Sequence, residues 1–259
     1  MKDACADEFI ALANRLADAA GDLARSFFRS PLEVRFKAAK SPVTEADQAV
    51  ETRLREMIVD AYPDHGVIGE EQAPVNPRSE FVWVIDPIDG TRLFISGVPL
   101  FTCLIALTRG GRPLLGVIDQ PVIGDRWIGA RGQATTFNGS AVNTRACASL
   151  GDAVLCTSNP AYFEGDDIAA FERLRDAAGW TQYSADSYGV GLIANGSMDL
   201  AAESELGIYD FCAWGPVIEG AGGVVSDWRG AALSLQTGDK ILVSGDARTH
   251  DQAMAVLAG

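Results

Sequence analysis

The apolar run Phe81-Val82-Trp83-Val84-Ile85 breaks off in Asp86-Pro87-Ile88-Asp89-Gly90-Thr91. A run of this kind reads as a short buried strand. Pro87, with a fixed φ and no N–H, is expected to stop it. Such a strand end delivers two carboxylates, the Ile88 carbonyl and the Thr91 hydroxyl to one point, and Gly90 lets the backbone approach an anion closely. Carboxylates that crowded repel each other unless a cation lies between them. Hard oxygen donors suit Mg²⁺, and Mg²⁺ suits phosphate chemistry. Ordinary turns use Asp and Gly too. What sets this segment apart is its company, Gly69-Glu70-Glu71 upstream and Gly207-Ile208-Tyr209-Asp210 far downstream. Together they imply a metal-dependent phosphatase.

Composition narrows the partners. The chain has 259 residues, 47% of them hydrophobic, enough for a large core in one compact unit or two fused halves. A formal net charge of −14 argues against nucleic acid and against anionic membranes as partners. A phosphorylated substrate would then need local neutralisation, which bound metal supplies. Cys5, Cys103, Cys147, Cys156 and Cys212 are odd in number, widely spaced and without a C-x-x-C, so reduced, mostly buried thiols are expected. The N-terminal residues lack a signal peptide's apolar core, and no apolar run reaches the roughly 20 residues that span a bilayer. These features predict a cytoplasmic protein. Two histidines, His65 and His250, make His-rich zinc sites and a Ser-His-Asp triad poor candidates. His65 reads as a polar turn residue.

Along the chain, Phe9, Leu12, Leu16, Leu23 and Phe27 predict an amphipathic helix over 4–28. A short strand over 32–37 follows. Thr44 then caps a helix whose third residue is Asp47, with Val50, Leu54, Met57, Ile58 and Ala61 on its buried face. Strands are predicted over 101–108, 114–119, 126–130, 153–157, 198–202, 224–228 and 241–244, and helices over 166–178, 188–194 and 250–258. Asp210 reads as the N-cap of a helix beginning at Phe211. Gly220-Ala221-Gly222-Gly223 ends that helical stretch, as a C-cap and close-packing segment. The irregular interleaving predicts stacked α and β layers with mixed sheets, an α/β class distinct from Rossmann and barrel folds, with a soft boundary near 140–152.

Gly69-Glu70-Glu71, the 83–91 segment, and Tyr209-Asp210 with Gly220-Ala221-Gly222-Gly223 resemble the signatures of the inositol monophosphatase superfamily. The resemblance implies one catalytic unit over 1–259, with halves of about 1–145 and 146–259. It implies the alternating α-β-α-β-α sandwich shared with fructose-1,6-bisphosphatases, and a homodimer. It also implies two to three Mg²⁺, with Mn²⁺ as a substitute. Glu70, Asp86 and the Ile88 carbonyl would hold the first ion. Asp86, Asp89 and Asp210 would hold the second, and Glu70 with waters would help hold a third. Asp47 and Thr91 would pair, beside Glu70, to activate water, a task suited to a Thr–carboxylate pair next to an acidified water. Phosphate would rest on the N–H groups of Gly90 and Thr91.

Further stretches look like the histidinol-phosphate phosphatase branch: Arg35-Phe36-Lys37, 41–47, Tyr62-Pro63-Asp64-His65-Gly66, Asp89-Gly90-Thr91-Arg92 and 116–121. Histidinol phosphate carries an ammonium and an imidazole, so acids would suit it. Asp186 and Glu203 are the candidates, with Tyr188 as an aromatic wall and Arg92 on the phosphate or ordering its loop. The chain departs from that branch at Leu93 and at Trp214-Gly215. An inositol or broader sugar-phosphate phosphatase is the alternative. A non-catalytic regulatory protein that binds RNA or transcription machinery is the remote one, disfavoured by the complete ligand set and the acidic balance.

Overall fold

The computed structural model describes residues 4–31, 33–36 and 42–259. The N-terminal apolar spacing gives α1 (Asp7–Phe27), with Phe9, Leu12, Leu16 and Ala20 on one buried stripe. β1 (Val34–Phe36) and β2 (Pro42–Thr44) form an antiparallel pair. Leu32 and Lys37, the ends of the expected strand, lie outside the described residues, as does Ser41. α2 (Glu45–Ala61) opens with a reciprocal capping box. Thr44 Oγ1 accepts from the N–H groups of Ala46 and Asp47, and Asp47 accepts from the Thr44 N–H at 2.7 Å.

The first half then builds β3 (Gly66–Gly69), β4 (Phe81–Asp89), the single turn α3 (Thr91–Ile95), β5 (Thr102–Arg109), β6 (Arg112–Gln120), β7 (Asp125–Ala130), β8 (Thr136–Phe137) and β9 (Ser140–Ala141). The strands pair in sequence order into a seven-stranded sheet, with β3 parallel to β4 and the rest antiparallel. Pro87 does not end β4. The strand continues to Asp89, and its pairing with β5 shifts register between Asp86 and Asp89. Proline is tolerated there because the irregular ladder demands no N–H from it.

The second half adds β10 (Val154–Thr157), α4 (Asp166–Ala177), β11 (Trp180–Tyr183), α5 (Asp186–Ala194), β12 (Leu200–Glu203), α6 (Ile208–Phe211), α7 (Trp214–Gly220), β13 (Val224–Asp227), β14 (Ile241–Ser244) and α8 (Ala247–Ala258). Its sheet runs β11-β10-β12-β14-β13, with β10 parallel to both neighbours and the other pairs antiparallel. β11 escaped the sequence reading because this edge strand is mostly exposed and lacks apolar alternation.

Strand alternation sorts the side chains into layers. Trp83 and Ile85 of β4 pack with α1 and α2, beside Leu16, Leu54 and Ile58. Val82 and Val84 point the other way, into a second core with Val190, Phe211, Trp214 and Val217 of α5, α6 and α7. Those helices also cover one face of the five-stranded sheet through Ala201, Val225 and Val243. Its other face packs Leu155, Leu200 and Leu242 on Phe171 and Leu174 of α4 and Ala253 of α8. The order is α-β-α-β-α. Each large apolar side chain so buried contributes about 1.5–3 kcal/mol. Gly116 and Gly129 let α7 lie directly on the first sheet, since a Cβ would stand 2.1 Å from Ala213 O and 2.2 Å from Pro216 O.

His65 is more than a turn residue. Its ring stacks between Tyr62 and Phe81, with centroids at 4.5 and 5.0 Å, and Nδ1 accepts from the Trp83 indole at 3.2 Å. All five cysteines are free and buried. Among the described residues no helix is long and apolar enough to cross a membrane.

Candidate active site

Residues three apart on a regular strand face opposite sides. The register shift in β4 cancels that alternation, and Asp86 and Asp89 converge. Asp210 arrives from α6. Ligand oxygens from the three lie within 4.8 Å of one another. Asp210 is not an N-cap: that role belongs to Gly207, whose N–H donates to Asp210 Oδ2 at 2.6 Å. Asp86 Oδ1 accepts from the Ile88 N–H at 3.0 Å. Asp89 Oδ2 accepts from Thr102 Oγ1 at 3.1 Å and from the Ser187 N–H at 3.0 Å. The Ile88 carbonyl accepts from Thr91 Oγ1 at 3.1 Å.

Burial, then Glu70, Asp210 and Asp89, pushes the Asp86 carboxyl well above its ordinary value. Burial, then Asp89 and Glu70, does the same to Asp210. Asp89 rises to about 7 through burial and the charge of Asp186. Groups that raise one another this way lack a positive charge among them, and a divalent cation fits a buried set of hard oxygens of this kind.

Asp47 is fully buried. Its Oδ2 accepts from Thr44 Oγ1 at 2.5 Å, while Oδ1 has no hydrogen-bond partner among the described residues. Burial outweighs the Thr44 bonds and raises its pKa. Asp47 and Thr91 are not hydrogen-bonded to each other: the Thr91 hydroxyl is turned to Ile88. An unpartnered buried carboxylate oxygen needs a donor such as water.

A cavity of about 410 Å³ opens on this cluster. Glu70, Asp89, Gly90, Thr91 and Asp210 line it, together with Arg92, Glu203, Glu205 and Asp186, whose Oδ2 would stand 3.2 Å from a Cβ on Gly90. Glu203 is 3% exposed; its Oε1 accepts from the Ser158 N–H at 2.7 Å and Ser158 Oγ at 3.0 Å, and its Oε2 from Thr157 Oγ1 at 3.2 Å. Burial and Asp186 still push it up to about 8. Burial raises Asp186 as well. The Arg92 guanidinium lies 5.2 Å over the Tyr162 ring, and Arg92 makes no ion pair among the described residues.

Tyr188 lies outside this cavity. Two residues on from Asp186 it faces the far side of α5, where its hydroxyl donates to Asp125 Oδ2 at 2.8 Å and its ring packs on Trp127. The aromatic walls are Tyr162 and Tyr209, the latter beside Asp210. Tyr162 sits on a lone 3₁₀ turn, Pro160–Tyr162, with no periodicity to expose it in the sequence. Glu51 was also missed as more than a helix residue. It is fully buried, pairs with Arg55 at 2.8 Å, and accepts from the N–H groups of Glu71 at 2.7 Å and Gln72 at 3.0 Å, pinning the loop after Glu70. A second cavity of about 470 Å³, between α1 and β7, holds none of the predicted site residues. Its Arg126 is already paired with Asp18 and Asp119, and its Arg25 with Asp22.

Comparison with known proteins places this geometry. Residues 6–258 match the model of the inositol monophosphatase family. The bifunctional phosphatase IMPL2, chloroplastic, of Arabidopsis thaliana is 41% identical over 99% of this chain and 77% of its own length. A histidinol-phosphatase of Chlorobaculum parvum is 35% identical over 95% of both chains. The solved structure of an inositol monophosphatase from Zymomonas mobilis superposes with a TM-score of 0.90 at 40% identity, covering 98% of both chains.

Proposed function

We propose that this chain, which belongs to the inositol monophosphatase family of phosphoric monoester hydrolases, hydrolyses L-histidinol phosphate to L-histidinol and phosphate with Mg²⁺. The observation that carries the substrate is the further acids of the cavity lining, where Asp186, beside Asp89 and Gly90, is joined by Glu203 and Glu205. A leaving group with an ammonium and an imidazole is complementary to those acids. A neutral polyol is not. The histidinol-phosphatase of Chlorobaculum parvum, similar along 95% of this chain, supports the same choice.

Glu70, Asp86, Asp89, Asp210 and the Ile88 carbonyl would hold two to three Mg²⁺. Bound Mg²⁺ neutralises the phosphate and acidifies water. Gly90 and Thr91 cradle the phosphate through their N–H groups, and Arg92 adds a positive charge from the rim. Asp47 Oδ1, buried and unpartnered, accepts the proton of the attacking water. Thr91 Oγ1, released from the Ile88 carbonyl, orients that water. Asp186 and Glu203 hold the cationic leaving group, and Tyr162 and Tyr209 flank it. A second reading is a phosphatase that also accepts inositol 1-phosphate. It is favoured by the bifunctional Arabidopsis relative and by the Zymomonas inositol monophosphatase.

Glu203→Gln tests the substrate contacts. KM for histidinol phosphate is expected to rise about tenfold, while KM for an aryl phosphate moves less than about twofold. Equal effects on both would remove Glu203 from recognition.

A further inference from the structure

Trp214 stands where this chain leaves the pattern of its Asp210 segment. It is 2% exposed, and its indole N–H donates to Ser187 Oγ at 2.9 Å. An indole nitrogen can only donate. Ser187 Oγ must therefore accept, and its single proton is left for another partner. Ser187 is fully buried, and its backbone N–H donates to Asp89 Oδ2 at 3.0 Å. The Ser187 hydroxyl also favours the charged form of Asp89. With Thr102 on the same oxygen at 3.1 Å, Asp89 Oδ2 is occupied by the protein. Oδ1 is the oxygen left for a cation.

Ser187 also follows Asp186, whose φ of +42° is a left-handed conformation that a non-glycine residue keeps only when its surroundings over-determine it. The indole bond, the Ser187 N–H bond and the start of α5 supply that constraint. Trp214 itself lies one helical turn after Asp210, four residues on, through Cys212 and Ala213, which are both right-handed helical. One helical run thus reaches the carboxylate cluster twice, directly with Asp210 and indirectly with Trp214.

We propose that Trp214 is a positioning residue for the metal site, acting through Ser187 to fix the orientation of Asp89 and the turn that carries Asp186. The inference rests on the reading of Asp89 as a metal ligand. Groups that orient a ligand without touching the metal are commonly worth about 10- to 100-fold in metal affinity.

The test uses the whole chain and Mn²⁺ as probe, with binding followed by calorimetry or by the loss of the free-ion paramagnetic resonance signal. Trp214→Phe keeps an aromatic ring and removes the donor. It should weaken Mn²⁺ binding about tenfold. The Mg²⁺ concentration for half-activation should rise by the same factor, while kcat at saturating Mg²⁺ largely recovers. Ser187→Ala should match it, and the double variant should be no worse than either single one, because both break one chain of bonds. Wild-type affinity in Trp214→Phe, or losses that multiply in the double variant, would overturn the proposal. Should Trp214→Phe not fold, Ser187→Ala decides alone: a weakened site at unchanged Tm supports the chain of bonds, and unchanged affinity overturns it. Failure of the wild-type chain to bind Mn²⁺ would overturn the metal reading as well, which separates the two failures.

Discussion

Two sets of acids meet at the candidate active-site cavity, and their surroundings differ. In one, Asp86, Asp89 and Asp210 crowd within 4.8 Å; burial and neighbouring carboxylates raise Asp86 and Asp210, and burial and Asp186 raise Asp89. In the other, Glu203 is held by three hydrogen bonds from Thr157 and Ser158, and Arg92 tempers the charge of Asp186. A divalent cation fits the first set. The second receives hydrogen bonds from the chain itself, yet burial still raises Glu203 to about 8 and lifts Asp186 above its ordinary value. Acid content alone therefore does not distinguish the two sets, and neither do hydrogen-bond donors, which both possess; the crowding of three carboxylates at one point does.

The sharpest way to break this contrast is Asp89→Asn. Turnover should fall by at least about a hundredfold in phosphate release, the scale of losing a preorganised transition-state contact. The metal-free Tm should hold or rise, because one repelling charge is gone. A variant with near-normal turnover would sink the assignment of Asp89. Glu51→Ala probes the scaffold beside the same set, since Glu51 pins the loop behind Glu70. Removing one partner of a buried ion pair costs about 3–5 kcal/mol, measurable by denaturant unfolding. A loss of less than about 1 kcal/mol would show that the pair does not hold the loop.

The contrast also predicts a pH signature. Asp89 is raised to about 7, and Asp86 and Asp210 are raised well above their ordinary range. In the unfolded chain they ionise near about pH 4. Between that pH and the folded values, the folded protein binds more protons than the unfolded one, so stability falls as pH rises. The metal-free Tm should drop between about pH 5 and pH 8, and the Tm gained on adding Mg²⁺ should be larger at the higher pH. A gain independent of pH would contradict a cation seated on these carboxylates. The smallest effect is expected at the rim. Arg92→Ala should raise KM about two- to fivefold, the scale of an exposed cation–π contact, with kcat nearly unchanged. A large fall in kcat would move Arg92 from the rim into the chemistry.

The carboxylate cluster was partly legible because Asp86 and Asp89 are close in sequence, although it is the register shift between β4 and β5 that makes them converge. The rules failed at Pro87, where the proline signal for a strand end was overridden by an irregular register with β5. They failed again at Asp210, where Gly207 caps the helix because the Asp210 side chain reaches back to it. The rest of the cavity lining was less readable. Tyr188 and Asp186 are neighbours in sequence, but α5 is buried on most of its surface, so apolar periodicity did not reveal its rotation. Tyr162 lies in irregular chain, and Glu51 looks like any helix acid until the loop after Glu70 folds onto it. The layered fold was legible in its element types. The order of the second sheet was not, because its parallel and antiparallel pairings leave no local mark.

The most direct measurement is phosphate release from histidinol phosphate and from myo-inositol 1-phosphate with saturating Mg²⁺, compared as kcat/KM. The proposed role of Asp186 and Glu203 predicts a preference for histidinol phosphate of about a hundredfold, roughly 2.7 kcal/mol in transition-state binding. Equal efficiencies or the reverse preference would contradict it, and would leave Asp186 and Glu203 as acids that shape the cavity without choosing its substrate.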